Sequence, residues 1–401
     1  MAGKAQALAS ANATAMVTVT AEAMAKAVRT GSPADRTTKR PVSRTVATAA
    51  ATLAAALLSA CSTFAPQATA PQPGPVAPVP AEPQQPVLTA KMAAAQDALR
   101  VMVNLQDRLS RVSAPLLINN ADLCKSMARN LLGFTAQNRY SYPGEFSDAA
   151  HAVLGYGERL QVSSVLAGSG AARAGLRKGD GLVSVQGKSL PGGPDAESQA
   201  AEVLGPLVGK QAALDMTVAR NGNNQTLKVP VTRACAIRVH LGNADNINSY
   251  ADGQRVLITR GMMNFAQSDE AIAYVLAKDI AHNVLGHAGA MRNSATVGSM
   301  IDNLVRTKPD LSLLIGSGGI KPVPQDMDTA ADSLALYMLA RAGYNIDRVK
   351  PFWQRLSSQY PASVLNGYTA LHPATSARFA AIDKGVAEIK AKLVAKKPLV
   401  P

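Results

Sequence analysis

Residues 273–287 read AYVLAKDIAHNVLGH, and residues 326–343 read DMDTAADSLALYMLARAG. Both are helical by pattern. The first opens on Asp269 and Glu270 behind Ser268, whose hydroxyl can cap free backbone N–H groups while the two acids suit the helix's positive end. Its apolar run predicts one helix continuing to His287. The second starts after Pro322 and Pro324 and has Gly343 as its stop. On the first helix Lys278 and His282 stand four apart and share a face. His287 falls about 140° further round the same helix and is expected to face elsewhere. Near the chain's end comes LHPATSAR, residues 371–378.

Taken in order, VLAKDIAHNVLGH (275–287), AADSLALYMLARAGY (330–344) and LHPATSAR resemble the zinc metallopeptidase family of the CAAX prenyl proteases and the bacterial heat-shock membrane proteases. The likeness covers roughly residues 236–395 and points to the branch of PDZ-containing bacterial lipoproteins. It implies a gluzincin-like core with zinc as cofactor. That chemistry needs H-E-x-x-H, in which two His bind zinc and the Glu activates a water. A Glu on the second helix, four residues before an Asp, supplies the third ligand. Here the motif is degraded. Lys278 stands at the first His, Asp279 at the general base, His282 at the second His and Asp328 at the third ligand. Asp332 and Arg378 match the residues behind the ligands, and His372 matches a cleft position.

An ammonium has no lone pair for zinc and brings a like charge. Asp279 and Asp328 each shorten their side chain by one methylene. Zinc is therefore expected to be absent or weakly held. A Lys278–Asp328 ion pair is expected in place of the metal bridge; the alternative is that Lys278 reaches solvent. His151 and His240 read as ordinary surface or strand residues.

Working back along the chain, residues 153–234 change character. Short alternating strands at 160–166 and 182–187 flank GSGAARAGLRKGD (168–180). A helix around 196–208 and a hairpin turning on Asn221-Gly222-Asn223 follow. This run resembles a PDZ domain, which binds a peptide as an added strand. The matching carboxylate loop falls at Leu154, Gly155, Tyr156 and Gly157. Residues 91–113 and 121–132 read as helices. The stretch Arg255–Thr259 reads as an edge strand of the core, where Val256 and Ile258 would line an extended peptide.

Lys39, Arg40 and Arg44, the small apolar run 45–60 and Leu58-Ser59-Ala60-Cys61 form a secretory signal ending in a resemblance to the bacterial lipobox. Cys61 would be acylated, and Ser62 favours the outer membrane. Eight prolines in residues 63–87 make a tether. With Cys61 lipidated, Cys124 and Cys235 remain as an even pair, either bridged or two separate buried thiols.

The 401 residues are 47% hydrophobic, 4% aromatic and 17% charged, with 41 Lys and Arg against 27 Asp and Glu. The basic excess is scattered and aromatics are few, which argues against nucleic acid. The expected architecture is α+β: leader 1–60, tether 61–88, helical region 89–150, an inserted PDZ-like β-domain at 151–235, and at 236–401 a mainly helical core with a small edge-strand sheet. The expected function is an envelope lipoprotein facing the periplasm: a pseudopeptidase that binds peptides or unfolded envelope proteins. The alternatives are an active peptidase with a rearranged zinc site in envelope protein quality control, and a structural anchor whose PDZ-like part does the binding.

Overall fold

The computed structural model describes residues 89–314, 320–364 and 367–401. The leader, the lipobox with Cys61 and the Pro-rich tether lie outside the described residues.

Helix α1 (Ala90–Ile118) starts at Thr89, whose side chain accepts from the Met92 N–H. Its second half buries Leu109, Val112, Leu116 and Leu117 in the main core. After α1 the expected helix at 121–132 does not form. Asn120 turns its side-chain amide onto the Leu116 and Met338 carbonyls, which closes α1. A short turn leads into strand β1 (Ala128–Leu131). Periodicity alone cannot separate a short buried strand from a helix turn, and here a partner strand decides.

Strand β2 (Phe134–Gln137), helix α2 (Glu145–Leu154), β3 (Gln161–Val165), β4 (Gly181–Val185), β5 (Lys188–Ser189), helix α3 (Ala196–Lys210), β6 (Ala213–Arg220) and β7 (Asn223–Pro230) follow. The order β2-β3-β4-β6-β7 forms one sheet, with β5 pairing β4. Ala196, Ala200, Leu204 and Val208 on α3 share a core with Val162, Leu182 and Met216 of the sheet. This sheet begins at Phe134 rather than near residue 151, so residues 89–150 are not a purely helical region. β8 (Thr232–Cys235) returns antiparallel to β1, pairing Ala128 with Cys235 and Leu131 with Thr232.

The remaining chain gives β9 (Arg238–Gly242), β10 (Ser249–Ala251), β11 (Arg255–Thr259), and helices α4 (Asp269–Val284), α5 (Ser294–Leu304), α6 (Gln325–Arg341), α7 (Val349–Gln359) and α8 (Ser376–Val394), with shorter turns between. A second sheet runs β10-β11-β9, antiparallel then parallel. α4 is buried on every side from Ala271 to Asn283, as befits a central helix. It packs against α6 and α1, so the core reaches back to α1 as well as covering residues 236–401.

Two stretches expected to take peptides are not open surfaces. β11 is the central strand of its sheet, and Val256 and Ile258 are fully buried between β9 and β10. The core's edge strand beside α4 is β10. Leu154 ends α2, and Gly155 caps it with φ +69° and its N–H on the Ala150 and His151 carbonyls. Tyr156 is buried with Leu99 of α1 and Phe146 of α2. The 154–157 loop is thus a helix stop, while the open strand at that end of the sheet is β2.

Candidate functional site

Four elements converge on one buried point. α4 contributes Lys278, Asp279 and His282; α6 contributes Asp328 and Asp332, one turn apart; the turn after the short helix Tyr368–Leu371 contributes His372; and α8 contributes Arg378. All seven are buried. Ser268 caps α4 by accepting from the Ala271 N–H, with Asp269 and Glu270 in the first turn.

The Lys278 ammonium lies 3.0 Å from Asp328 Oδ1 and 3.1 Å from Asp332 Oδ1. At 1% exposure it does not reach solvent. It also sits 5.4 Å from the centre of the Trp353 ring, a cation–π contact. Arg378 grips Asp332 with Nε at 2.8 Å and Nη2 at 3.2 Å, and its Nη1 lies 3.2 Å from Asp328 Oδ2. The same guanidinium donates to the Pro373 and His372 carbonyls, which fixes the turn carrying His372. His372 Nδ1 is 2.7 Å from Asp328 Oδ1, and its ring stacks on Tyr368. His282 Nε2 is 3.2 Å from the same oxygen.

The helix carrying His282 stops at Val284, and Gly286 follows with φ +72°. The chain doubles back, so His287 does not face away. Its Nδ1 lies 2.8 Å from His282 Nδ1. The helical-wheel expectation fails because it assumed an unbroken helix. Leu285-Gly286 carries the stop signal that Gly343 carries on α6.

Burial alone would push the Asp328 carboxyl up, but Lys278, His372 and His282 outweigh it and hold it far below the usual range. Burial works against the Arg378 guanidinium, and Asp332 and Asp328 more than restore its charge. Burial pushes Asp279 up to about 7, while a Ser249 hydrogen bond and Lys278 pull the other way. Burial pushes His282 and His287 down to about 4 and lowers His372. Lys278 and Arg378 thus face Asp328 and Asp332 at contact distance, and burial disfavours the charged form of the three imidazoles.

His282, Asp328 and His372 place one ligand atom each within 4.8 Å of the others. These atoms are close enough for a metal. The charge around them is not suited to one. Lys278 Nζ already contacts Asp328 Oδ1, the shared donor, and an added dication would lie a few ångströms from it. An amine nitrogen already seated against the shared oxygen leaves the donor set unsuited to zinc.

β10 borders this centre. Ser249, Tyr250 and Ala251 line a cleft with Asp279, His282 and His372. Asn283, which the sequence reading passed over, ties α4 to the hairpin below: its Oδ1 accepts from the Gly253 N–H and its Nδ2 donates to the Arg255 carbonyl. Ser249 and Trp353 likewise gain a place at the site that no spacing rule could give them. His240 is half-buried on β9 and pushed down to about 3, mainly by desolvation of its ring, while His151 Nδ1 lies 3.0 Å from the Tyr156 carbonyl.

Residues 216–386, from β6 into α8, match the model of Peptidase family M48. The mitochondrial metalloendopeptidase OMA1 of Schizosaccharomyces pombe is 24% identical over 146 residues, or 35% of this chain and 43% of that protein. The match thus spans less than half the length of this curated relative. Over residues 216–386 the chain resembles the metallopeptidases of family M48.

Proposed function

We propose that this chain is a pseudopeptidase: a metallopeptidase-like module that binds extended peptides or unfolded envelope proteins without cutting them. The observation that carries the reading is the Lys278 ammonium, 3.0 Å from Asp328 and 3.1 Å from Asp332, at the motif's first ligand position. No water can be activated by a metal that the site repels. Asp279, at the base position, is one methylene shorter than the Glu of the motif, so its carboxylate is retracted from where a base is needed.

The peptide surface is β10. In the β10–β11 pair the Thr259 N–H donates to the Asn248 carbonyl, and the Asp252 N–H donates to the Arg255 carbonyl. Hydrogen-bonded pairs alternate along an antiparallel ladder. Ala251 therefore turns its backbone N–H and C=O away from β11, and Ser249 its C=O, the Ser249 N–H being taken by Asn248 Oδ1 at 2.8 Å. An extended chain can add there as a further strand. The β-domain, which resembles a PDZ fold in sequence, offers β2 as a second open edge.

We place the protein in the cell envelope, held to the outer membrane by lipid on Cys61 and facing the periplasm. Cys61→Ser should leave the protein soluble or unprocessed. A wild-type protein that is soluble and keeps residues 45–60 would count against the anchor.

The test of function combines metal analysis with binding. Purified protein should carry little zinc, leave casein intact, and bind an array of extended peptides equally well in excess chelator. Stoichiometric zinc with chelator-sensitive cleavage would instead establish a rearranged centre built on His282, Asp328 and His372.

A further inference from the structure

We infer that Lys278 is a fixed cation that joins α4 to α6 in the place where the related peptidases use a metal, making the pairing of these helices independent of any metal. This deepens the pseudopeptidase reading and rests on it for the purpose of the cleft, but not for its own test.

The argument is one of charge and position. Asp328 and Asp332 lie on α6 at 1% and 3% exposure, facing α4. Two buried carboxylates this close repel each other and are costly to desolvate. Arg378 supplies one positive charge from α8. Lys278 supplies the second from α4, touching both acids. The cluster has two charges of each sign and spans three helices. The Trp353 face closes the ammonium's remaining side.

A dication bridging two helices does the same job when its ligands come from both. Here it is done by a side chain that cannot dissociate. Removing one partner of such a cluster leaves a charge buried and uncompensated, which costs far more than losing a surface pair.

The experiment is thermal unfolding of the full chain, with chelator and with added zinc chloride. The wild-type midpoint should not move with either. Lys278→Met should lower it by roughly 5 °C or more, since a buried pair is broken. Lys278→Met with Asp328→Asn should recover part of that loss, because one charge of each sign has gone; a space-filling role for Lys278 predicts further loss. Lys278→His, which places an imidazole four residues before His282, should gain a midpoint that zinc raises and chelator lowers. The inference is overturned by a wild-type midpoint that chelator lowers and zinc restores, or by a double variant no better than Lys278→Met. It is also overturned by a folded Lys278→His indifferent to zinc. Should Lys278→His not fold, the wild type and the double variant decide. Peptide binding by the wild type is read separately, so its loss would sink the proposed function and leave the cation's role standing.

Discussion

At the scale of single residues, Asp279 has the most exposed consequence. Burial pushes its carboxyl from the ordinary 3.8 up to about 7. Between those values the unfolded chain has released the proton and the folded chain still holds it. Stability from this group is therefore lost as pH rises from about 4 to about 7, by something on the order of 4 kcal/mol at the upper end. His282 and His287 work in the opposite sense. Burial holds them near 4, so the unfolded chain binds more protons between about 4 and 6.5, and stability rises with pH there. A comparison with Asp279→Asn cancels the histidines and isolates the carboxyl. The urea midpoint of Asp279→Asn relative to wild type should climb between about pH 4 and about pH 7. A gap that stays flat would mean that Asp279 is already ionised in the folded protein.

At the scale of elements, the free edge of β10 gives a prediction with a built-in control. Ala251→Pro removes an N–H that points away from β11 and leaves the β10–β11 ladder intact. Peptide binding should weaken roughly tenfold, about one hydrogen bond's contribution, with little change in unfolding midpoint. Val256→Pro, in the central strand β11, should instead prevent folding. Equal peptide affinity in Ala251→Pro would move the binding surface elsewhere. The same scale shows what the sequence discloses. The two helices bearing Lys278 and Asp328 are legible because long apolar runs with Ser268 and Gly343 at their ends leave little choice. The Lys278–Asp328 contact follows once those helices pair. Strand neighbours are not legible this way. Nothing in Arg255–Thr259 says that Ser249–Ala251 will cover its flank, and nothing in residues 121–132 says that Thr232–Cys235 will pair with part of them. His287 is the intermediate case: Gly286 signals the stop, but only the reversed chain puts the two imidazoles in contact.

At the scale of the whole molecule, the stretch that builds the larger sheet starts and ends side by side, forming a neck. The chain leaves α1, passes Cys124 and β1, builds the sheet and α3, and returns through β8 to Cys235 before entering β9. Two features close that neck. The β1–β8 ladder pairs Ala128 through Leu131 with Cys235 through Thr232, and a disulfide joins Cys124 to Cys235. Both cysteines are buried, at 1% and 0% exposure. A bridge across a separation of 111 residues restrains the unfolded chain strongly; on the entropic account it contributes about 4–5 kcal/mol. Such a bond persists in an oxidising compartment, which agrees with the export proposed from the leader. Thiol labelling of the denatured, unreduced protein should find neither Cys124 nor Cys235 free, and reductant should release both. Cys124→Ala with Cys235→Ala should then lower the unfolding free energy by an amount approaching that figure. A loss under about 1 kcal/mol would mean that the ladder and the packing of α1 already hold the neck, so that the bridge restrains little. Free thiols in protein recovered from the envelope would strike at the compartment itself.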